Sequence, residues 1–179
     1  MTRPNIVFIF SDQQRADTMG YAGDEVAITP HLDRLALEGS VFTRCLASSP
    51  VCMTTRASVM SGLQVHQHGV WAFADPGIRL GQSHVRNIQA AGYRTGVVGK
   101  THLWRHGDGH ARDHLEEMAD WGFDDARETT GPSESVNTDS IYTDYLAEKG
   151  LLATHRNYLN LYLNSQRPLP WELPSSQLP

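Results

Sequence analysis

The sequence predicts an α/β layered fold, and three observations carry that reading. Asn5–Phe10 is a continuous apolar run, the pattern of a central parallel strand buried on both faces. Helical segments with capping residues follow it, and a second strand candidate, Tyr93–Val98, precedes a further set of helices. Strands that alternate with helices call for a layered sheet flanked by helices.

Taken in order, the first strand ends at Ser11-Asp12-Gln13-Gln14-Arg15, an abrupt change to polar residues. Thr29-Pro30 then opens a helix, with a capping hydroxyl and a proline at the first helical position. Leu32, Leu35 and Ala36 form its expected buried stripe, and Gly39 ends it. Val41-Phe42-Thr43 is a short strand candidate. A helix over about 54–60 begins directly after Cys52 and stops at Gly62. Ser83 caps another helix running through Ala91, with Val85 and Ile88 inward and Gly92 as its stop. Past the Tyr93–Val98 strand, Gly99-Lys100-Thr101-His102 forms a loop. The stretches Asp113–Trp121, Asp139–Lys149 and His155–Leu163 read as helices. No internal repeat interrupts this order.

Composition sets the outer bounds. A chain of 179 residues can bury one sizeable core, and 40% hydrophobic with 20% charged residues is ordinary for a globular domain. A net charge of −5 without a long basic run argues against a nucleic-acid surface. The opening apolar run is too short to span a bilayer and has no small-residue cleavage site, so neither membrane nor export is expected and a cytoplasmic protein is. Cys45 and Cys52 are the two cysteines, too few for a disulfide framework, although one bridge between them is available.

Four places could carry chemistry. Asp12, at the end of a buried strand, is a hard oxygen ligand for Ca²⁺ or Mg²⁺, or else an ordinary turn former. Gln13 beside it offers a neutral carbonyl oxygen. Cys52 is either a small buried hydrophobe or a reactive group at a helix N-terminus near Arg56. Arg56 lies one helical turn further on and can hold an anion, its bland alternative being a solvated surface charge. Lys100 and His102 sit beyond the carboxyl end of a strand, where ligands gather in open α/β sheets. Lysine supplies a point charge, and histidine a hydrogen bond or a proton. His102, His106, His110 and His114 recur every four residues, which on a helix would suggest a metal face. Gly107 and Gly109 make that stretch a solvated loop instead, His102 excepted. In His66-Gln67-His68-Gly69-Val70, His68 reads as structural and His66 is left open.

The segment Cys52-Met-Thr-Thr-Arg-Ala-Ser-Val-Met-Ser-Gly62 resembles the signature of the type I sulfatases, with Thr54 in the place of the pattern's proline. Two further stretches resemble the same family: the strand ending in Asp12-Gln13, and Gly99-Lys100-Thr101-His102. Trp121-Gly122-Phe123-Asp124 matches more loosely. The resemblance implies an alkaline phosphatase-like three-layer sandwich with a mostly parallel central sheet, of which this chain is the N-terminal part. It implies hydrolysis of sulfate esters, with Cys52 oxidised to formylglycine by a formylglycine-generating enzyme. Hydrated, that aldehyde presents two hydroxyls, one to attack the ester and one to expel the esterified anion. Asp12, Gln13 and Cys52 would hold a divalent metal, Ca²⁺ before Mg²⁺ or Mn²⁺. Arg56, Lys100 and His102 would act on the substrate. Asp12-Gln13-Gln14-Arg15, with Asp17 and Gly20, is similar to the choline-sulfatase-like and phosphonate monoester hydrolase branch. A phosphonate or phosphodiester substrate is therefore the alternative, and a catalytically incomplete fragment is a further one. A threonine nucleophile at Thr54 or Thr55 is a minor possibility.

Two regions are expected. Residues 1–166 form the N-terminal portion of the catalytic domain. Residues 167–179, with Pro168, Pro170, Pro174 and Pro179, read as a truncated connection.

Overall fold

The computed structural model describes residues 3–71, 83–107 and 109–164. It divides into two units, Met1–Ala47 and Ser48–Pro179. The proline-rich stretch 167–179 lies outside the described residues.

In the first unit the regular element is α1 (Pro30–Glu38), with Pro30 at its first position as the sequence indicates. The Thr29 hydroxyl does not cap the helix. It accepts from the Gly20 N–H at 2.8 Å and donates to Asp33 Oδ1 at 2.9 Å, tying the helix start to the 3₁₀ turn Gly20–Ala22. Gly39 closes α1 with its N–H on the Leu35 carbonyl. The expected stripe of Leu32, Leu35 and Ala36 is not buried within this unit: Leu32 and Leu35 are exposed and Ala36 is half-buried.

Asn5–Phe10 likewise departs from expectation. It is extended, and the rings of Phe8 and Phe10 stack at 5.8 Å as i and i+2 neighbours do on one face of an extended chain. Yet it forms no ladder, and Val7 is 80% exposed. An apolar run becomes a strand only when a neighbour takes its backbone hydrogen bonds, and no pairing among the described residues includes this one. Val41-Phe42-Thr43 is irregular for the same reason.

The second unit holds the core. Met53, Ala57, Met60, Val70, Val85, Leu103, Trp104, Ala111, Met118, Trp121 and Phe123 form one buried cluster. Helix α2 (Cys52–Ser61) contributes three of its members and is buried along most of its length. It ends at Gly62, whose φ of 72° is the left-handed cap that glycine adopts without strain. Short helix α3 (Val65–His68) follows. Its His68 is buried and shares a 2.8 Å hydrogen bond with the Ser58 hydroxyl of α2, a structural role in keeping with the sequence reading. Ser83 caps α4 (His84–Ala90) by accepting from the Arg86 N–H.

Strand β1 (Gly96–Gly99) begins later than the Tyr93–Val98 run suggests. Tyr93 and Arg94 lead in from the Gly92 turn, and Thr95 is occupied by the Asp124 carboxylate and the Gly122 carbonyl. After β2 (Gly109–His110), the expected helix Asp113–Trp121 divides into a 3₁₀ turn, Ala111–His114, and α5 (Leu115–Asp120). Gly122 then turns with φ 98°, and a Cβ there would meet the Arg86 N at 2.7 Å, so no other residue fits without displacement. Strand β3 (Asp125–Glu128) runs parallel to β1 in the register Gly96↔Asp125 to Gly99↔Glu128. Strand β4 (Thr138–Asp139) pairs in parallel with β2. Two helices follow, α6 (Ile141–Glu148) and α7 (Leu152–Asn164). The result is a mixed α/β frame with parallel pairings. Among the described residues, no helix is long and apolar enough to cross a membrane.

Candidate active site

Chain geometry brings four of the sequence-selected residues to one place in the second unit. Cys52 is the first residue of α2, at the end where free N–H groups and the helix dipole favour negative charge. Ser49 shapes the approach: its hydroxyl accepts from the Val51 N–H at 3.1 Å, and its carbonyl accepts from the Thr55 hydroxyl. Cys52 Sγ lies 3.4 Å from His102 Nδ1. The two are both free of disulfides, Cys45 as well as Cys52, so the bridge the sequence allowed is not formed.

Arg56 is no surface charge. It is 5% exposed, and its Nη1 donates to the Lys100 carbonyl, linking α2 to the loop after β1. The Lys100 side chain runs over Gly131, where a Cβ would come within 3.1 Å of Nζ. Cys52, Arg56, Lys100 and His102 therefore share one neighbourhood, in which the charges of Lys100 and Arg56 both act on the His102 ring.

His102 is buried and its φ is 55°, in the left-handed region that non-glycine residues seldom occupy. Burial lowers its pKa to about 4, with the charges of His106, Lys100 and Arg56 acting the same way and Glu128 opposing them. At neutral pH the ring is uncharged. It can accept the Cys52 thiol proton or donate to it, according to tautomer.

Behind the loop stands Glu128, at the end of β3 and in register with Gly99. Its Oε1 accepts from the Thr101 N–H at 2.9 Å, the His102 N–H at 3.1 Å and the Thr101 hydroxyl, while Oε2 accepts from Trp104 Nε1 at 2.5 Å. Burial alone would push this carboxyl up, but His106 and the Thr101 and Trp104 donors outweigh it and hold it below the usual carboxylate range.

His106 corrects the solvated-loop reading. It is buried, and its ring stacks on that of His102 at 4.4 Å and 8°. His110 and His114 go elsewhere, to Asp144 at 3.1 Å and to the Trp104 ring at 3.7 Å. The four-residue spacing therefore does not make a metal face. Neither Glu128 nor His106 was marked by sequence reasoning as part of this neighbourhood. The only sequence signal was a carboxylate on a short strand following Gly122-Phe123-Asp124.

Asp12 and Gln13 belong to the first unit, and both are exposed there. Gln13 has φ 52°, so the chain turns sharply just past the apolar run. Arg15 and Asp17 close this turn through a two-point ion pair, at 3.0 Å and 2.5 Å. The donor chemistry can be compared with the hard divalent ion that the resemblance implies. Asp12 and Gln13 offer oxygens, which suit Ca²⁺ or Mg²⁺, whereas a Cys52 thiolate is soft and suits neither. An oxygen at position 52 would fit. No cluster of three or more His, Cys, Asp or Glu side chains that could hold a metal occurs among the described residues.

The chain belongs to the sulfatase family, whose fold is alkaline phosphatase-like: the family's model matches residues 4–168. Individual relatives agree. It is 41% identical over 113 residues to an ulvan-active sulfatase of Formosa agariphila, an alignment covering 62% of this chain and 21% of that protein. An arylsulfatase of Clostridium perfringens is 36% identical over 104 residues, covering 57% of this chain and 21% of its own length. For rat steryl-sulfatase the identity is 37% over 111 residues, covering 56% and 19%. The matched stretch spans about a fifth of the length of these curated relatives. No solved structure matches the chain.

Proposed function

We propose that the whole protein hydrolyses sulfate esters of small molecules, with Cys52 as the site of formylglycine formation. The observation that carries this reading is the meeting of Cys52 with His102 at 3.4 Å, with Arg56 and Lys100 tied together alongside. An ester bearing a tetrahedral anion needs cationic donors around it and a group poised at the central atom. Formylglycine formation replaces the soft sulfur by oxygen, and the hydrated aldehyde supplies the hydroxyl nucleophile when present. Asp12 and Gln13 offer oxygens suited to a divalent metal, Ca²⁺ in preference to Mg²⁺ or Mn²⁺, and so does an oxygen at residue 52; such an ion would supply charge stabilisation for the anion.

The chain's own residues then have distinct tasks. The planar guanidinium of Arg56, anchored on the Lys100 carbonyl, fixes one pair of ester oxygens. Lys100 supplies a second positive charge. Uncharged at neutral pH, His102 holds an ester oxygen through its N–H rather than carrying a proton of its own. Cytoplasmic residence belongs to the same proposal, supported by the two free thiols.

Asp12-Gln13 favours a second reading, a phosphonate or phosphodiester substrate, because the amide lowers the negative charge at the metal. The test is a substrate panel on protein co-produced with a formylglycine-generating enzyme and supplied with Ca²⁺. Higher kcat/KM on an aryl sulfate than on a phenylphosphonate ester is expected. The reverse order would transfer the assignment to the phosphonate reading, and activity on neither would remove both.

A further inference from the structure

The backbone of His102 needs an explanation that its own chemistry does not give. A non-glycine residue in the left-handed region is strained, and such strain persists only where the surroundings over-determine it. Here two consecutive N–H groups, of Thr101 and His102, point at a single oxygen of Glu128. The Thr101 hydroxyl reaches the same oxygen, and Trp104 Nε1 takes the other. Glu128 is 4% exposed, and the parallel register sets it opposite Gly99, immediately before the loop. The carboxylate thus grips the segment from Thr101 to Trp104 from behind.

His106 completes the seat. Its ring lies flat against that of His102, and Trp104 meets its edge at 4.4 Å. Its Nε2 faces Glu128 Oε1 at 3.9 Å, longer than a hydrogen bond but close enough to favour the ionised carboxylate. Its contribution to the seat is a flat face that limits the His102 ring plane.

We propose that Glu128 is a positioning residue, which holds His102 in its left-handed turn so that the ring meets residue 52. The catalytic meaning of that position rests on the sulfate-ester reading, but the positioning itself does not. It can be read in the unconverted full chain, without any substrate.

The test uses two variants and two readouts. Glu128→Gln places an amide NH₂ among four donors, so at least one of them loses its acceptor. Thr101→Val removes the hydroxyl, which donates to Glu128 and accepts from the Leu103 N–H at 3.4 Å, and keeps both backbone N–H groups. The first readout is the ¹⁵N–¹H signature of the His102 ring, assigned by its loss in His102→Gln. The second is the rate of Cys52 alkylation by iodoacetamide relative to the exposed Cys45 in the same molecule. In folded Glu128→Gln the His102 signals should move, and the alkylation ratio should change by about threefold or more, the size of one lost hydrogen bond. Thr101→Val should shift both in the same direction by less. Unchanged His102 signals and an unchanged ratio in folded Glu128→Gln would overturn the proposal and leave Glu128 a stability group alone. If that variant does not fold, Thr101→Val decides by the same two readouts. Aryl sulfate turnover enters neither readout, so failure of the hydrolase reading is seen separately.

Discussion

Replacing Thr54 by valine is expected to stabilise the protein, although the substitution touches the residue second after Cys52. Thr54 is 1% exposed, and its Oγ1 has no hydrogen-bond partner. A buried hydroxyl without a partner costs about 1–3 kcal/mol of desolvation, and valine has nearly the same shape without the oxygen. The gain should fall at the lower end, about 1–2 kcal/mol, because valine is a slightly poorer fit to a helix. For a domain of this size that corresponds to a rise in Tm of about 2–8 °C. The first carbonyl-bonded N–H of α2 is that of Thr55, on Val51 at 2.9 Å, so residue 54 sits in the first turn, where N–H groups have no helical acceptor. Thermal unfolding followed by circular dichroism, with urea midpoints as a check, measures the effect. A Tm equal to or below that of the parent chain would refute the reasoning, since it would mean that the hydroxyl is satisfied.

Further outcomes follow from the same geometry. Thr54→Pro, which restores the family pattern, should fold, because proline is tolerated in a first helical turn; far-UV circular dichroism and a Tm within a few degrees of the parent, about 2–4 °C per kcal/mol, check this. Ser58→Ala should cost about 1–3 kcal/mol, read by urea unfolding, because it strips the buried His68 Nε2 of its 2.8 Å partner. Stability should also fall with acid. The folded pKa of His102, about 4, lies below the ordinary 6.5, so the unfolded chain binds the proton first and stability is lost as pH drops from about 6.5 to about 4. The full effect is roughly 3 kcal/mol at most, and His102→Gln should remove that component from the pH profile of the urea midpoint. Arg56→Lys should lower kcat/KM on an aryl sulfate by about 10²-fold, because an ammonium cannot both bond the Lys100 carbonyl and present a planar pair of donors; steady-state kinetics on the matured protein measures this.

How much of this was legible in the sequence differs by region, and the reason is physical. Helix signals are local, so Pro30, Gly39, Ser83 and Gly62 marked their helices closely. The strand signal of Asn5–Phe10 was equally strong, but a strand is a relation between two segments, and the composition of one cannot supply the other. Cys52, Arg56, Lys100 and His102 stood out through residue type and through the sulfatase-like motifs that contain them. Their meeting in one neighbourhood depends on contacts across about fifty residues of chain, which no local pattern encodes. Glu128 illustrates the limit most clearly. Its role comes from the parallel register that sets it opposite Gly99, and one of two carboxylates in a short polar strand announces nothing. The histidine series misled in the opposite direction. Gly107 and Gly109 correctly argued against a helix, but a loop can still be buried when Trp104 and His102 offer faces to stack on.

The most direct test is a fragment-ion mass spectrum of the tryptic peptide Cys45–Arg56, taken from protein co-produced with a formylglycine-generating enzyme. That peptide carries both cysteines, so Cys45 serves as the unconverted reference within it. An aldehyde at residue 52 beside an intact thiol at residue 45 is the expected result. A thiol at both positions, from protein that nevertheless hydrolyses an aryl sulfate, would contradict the assignment of Cys52 as the source of the nucleophile.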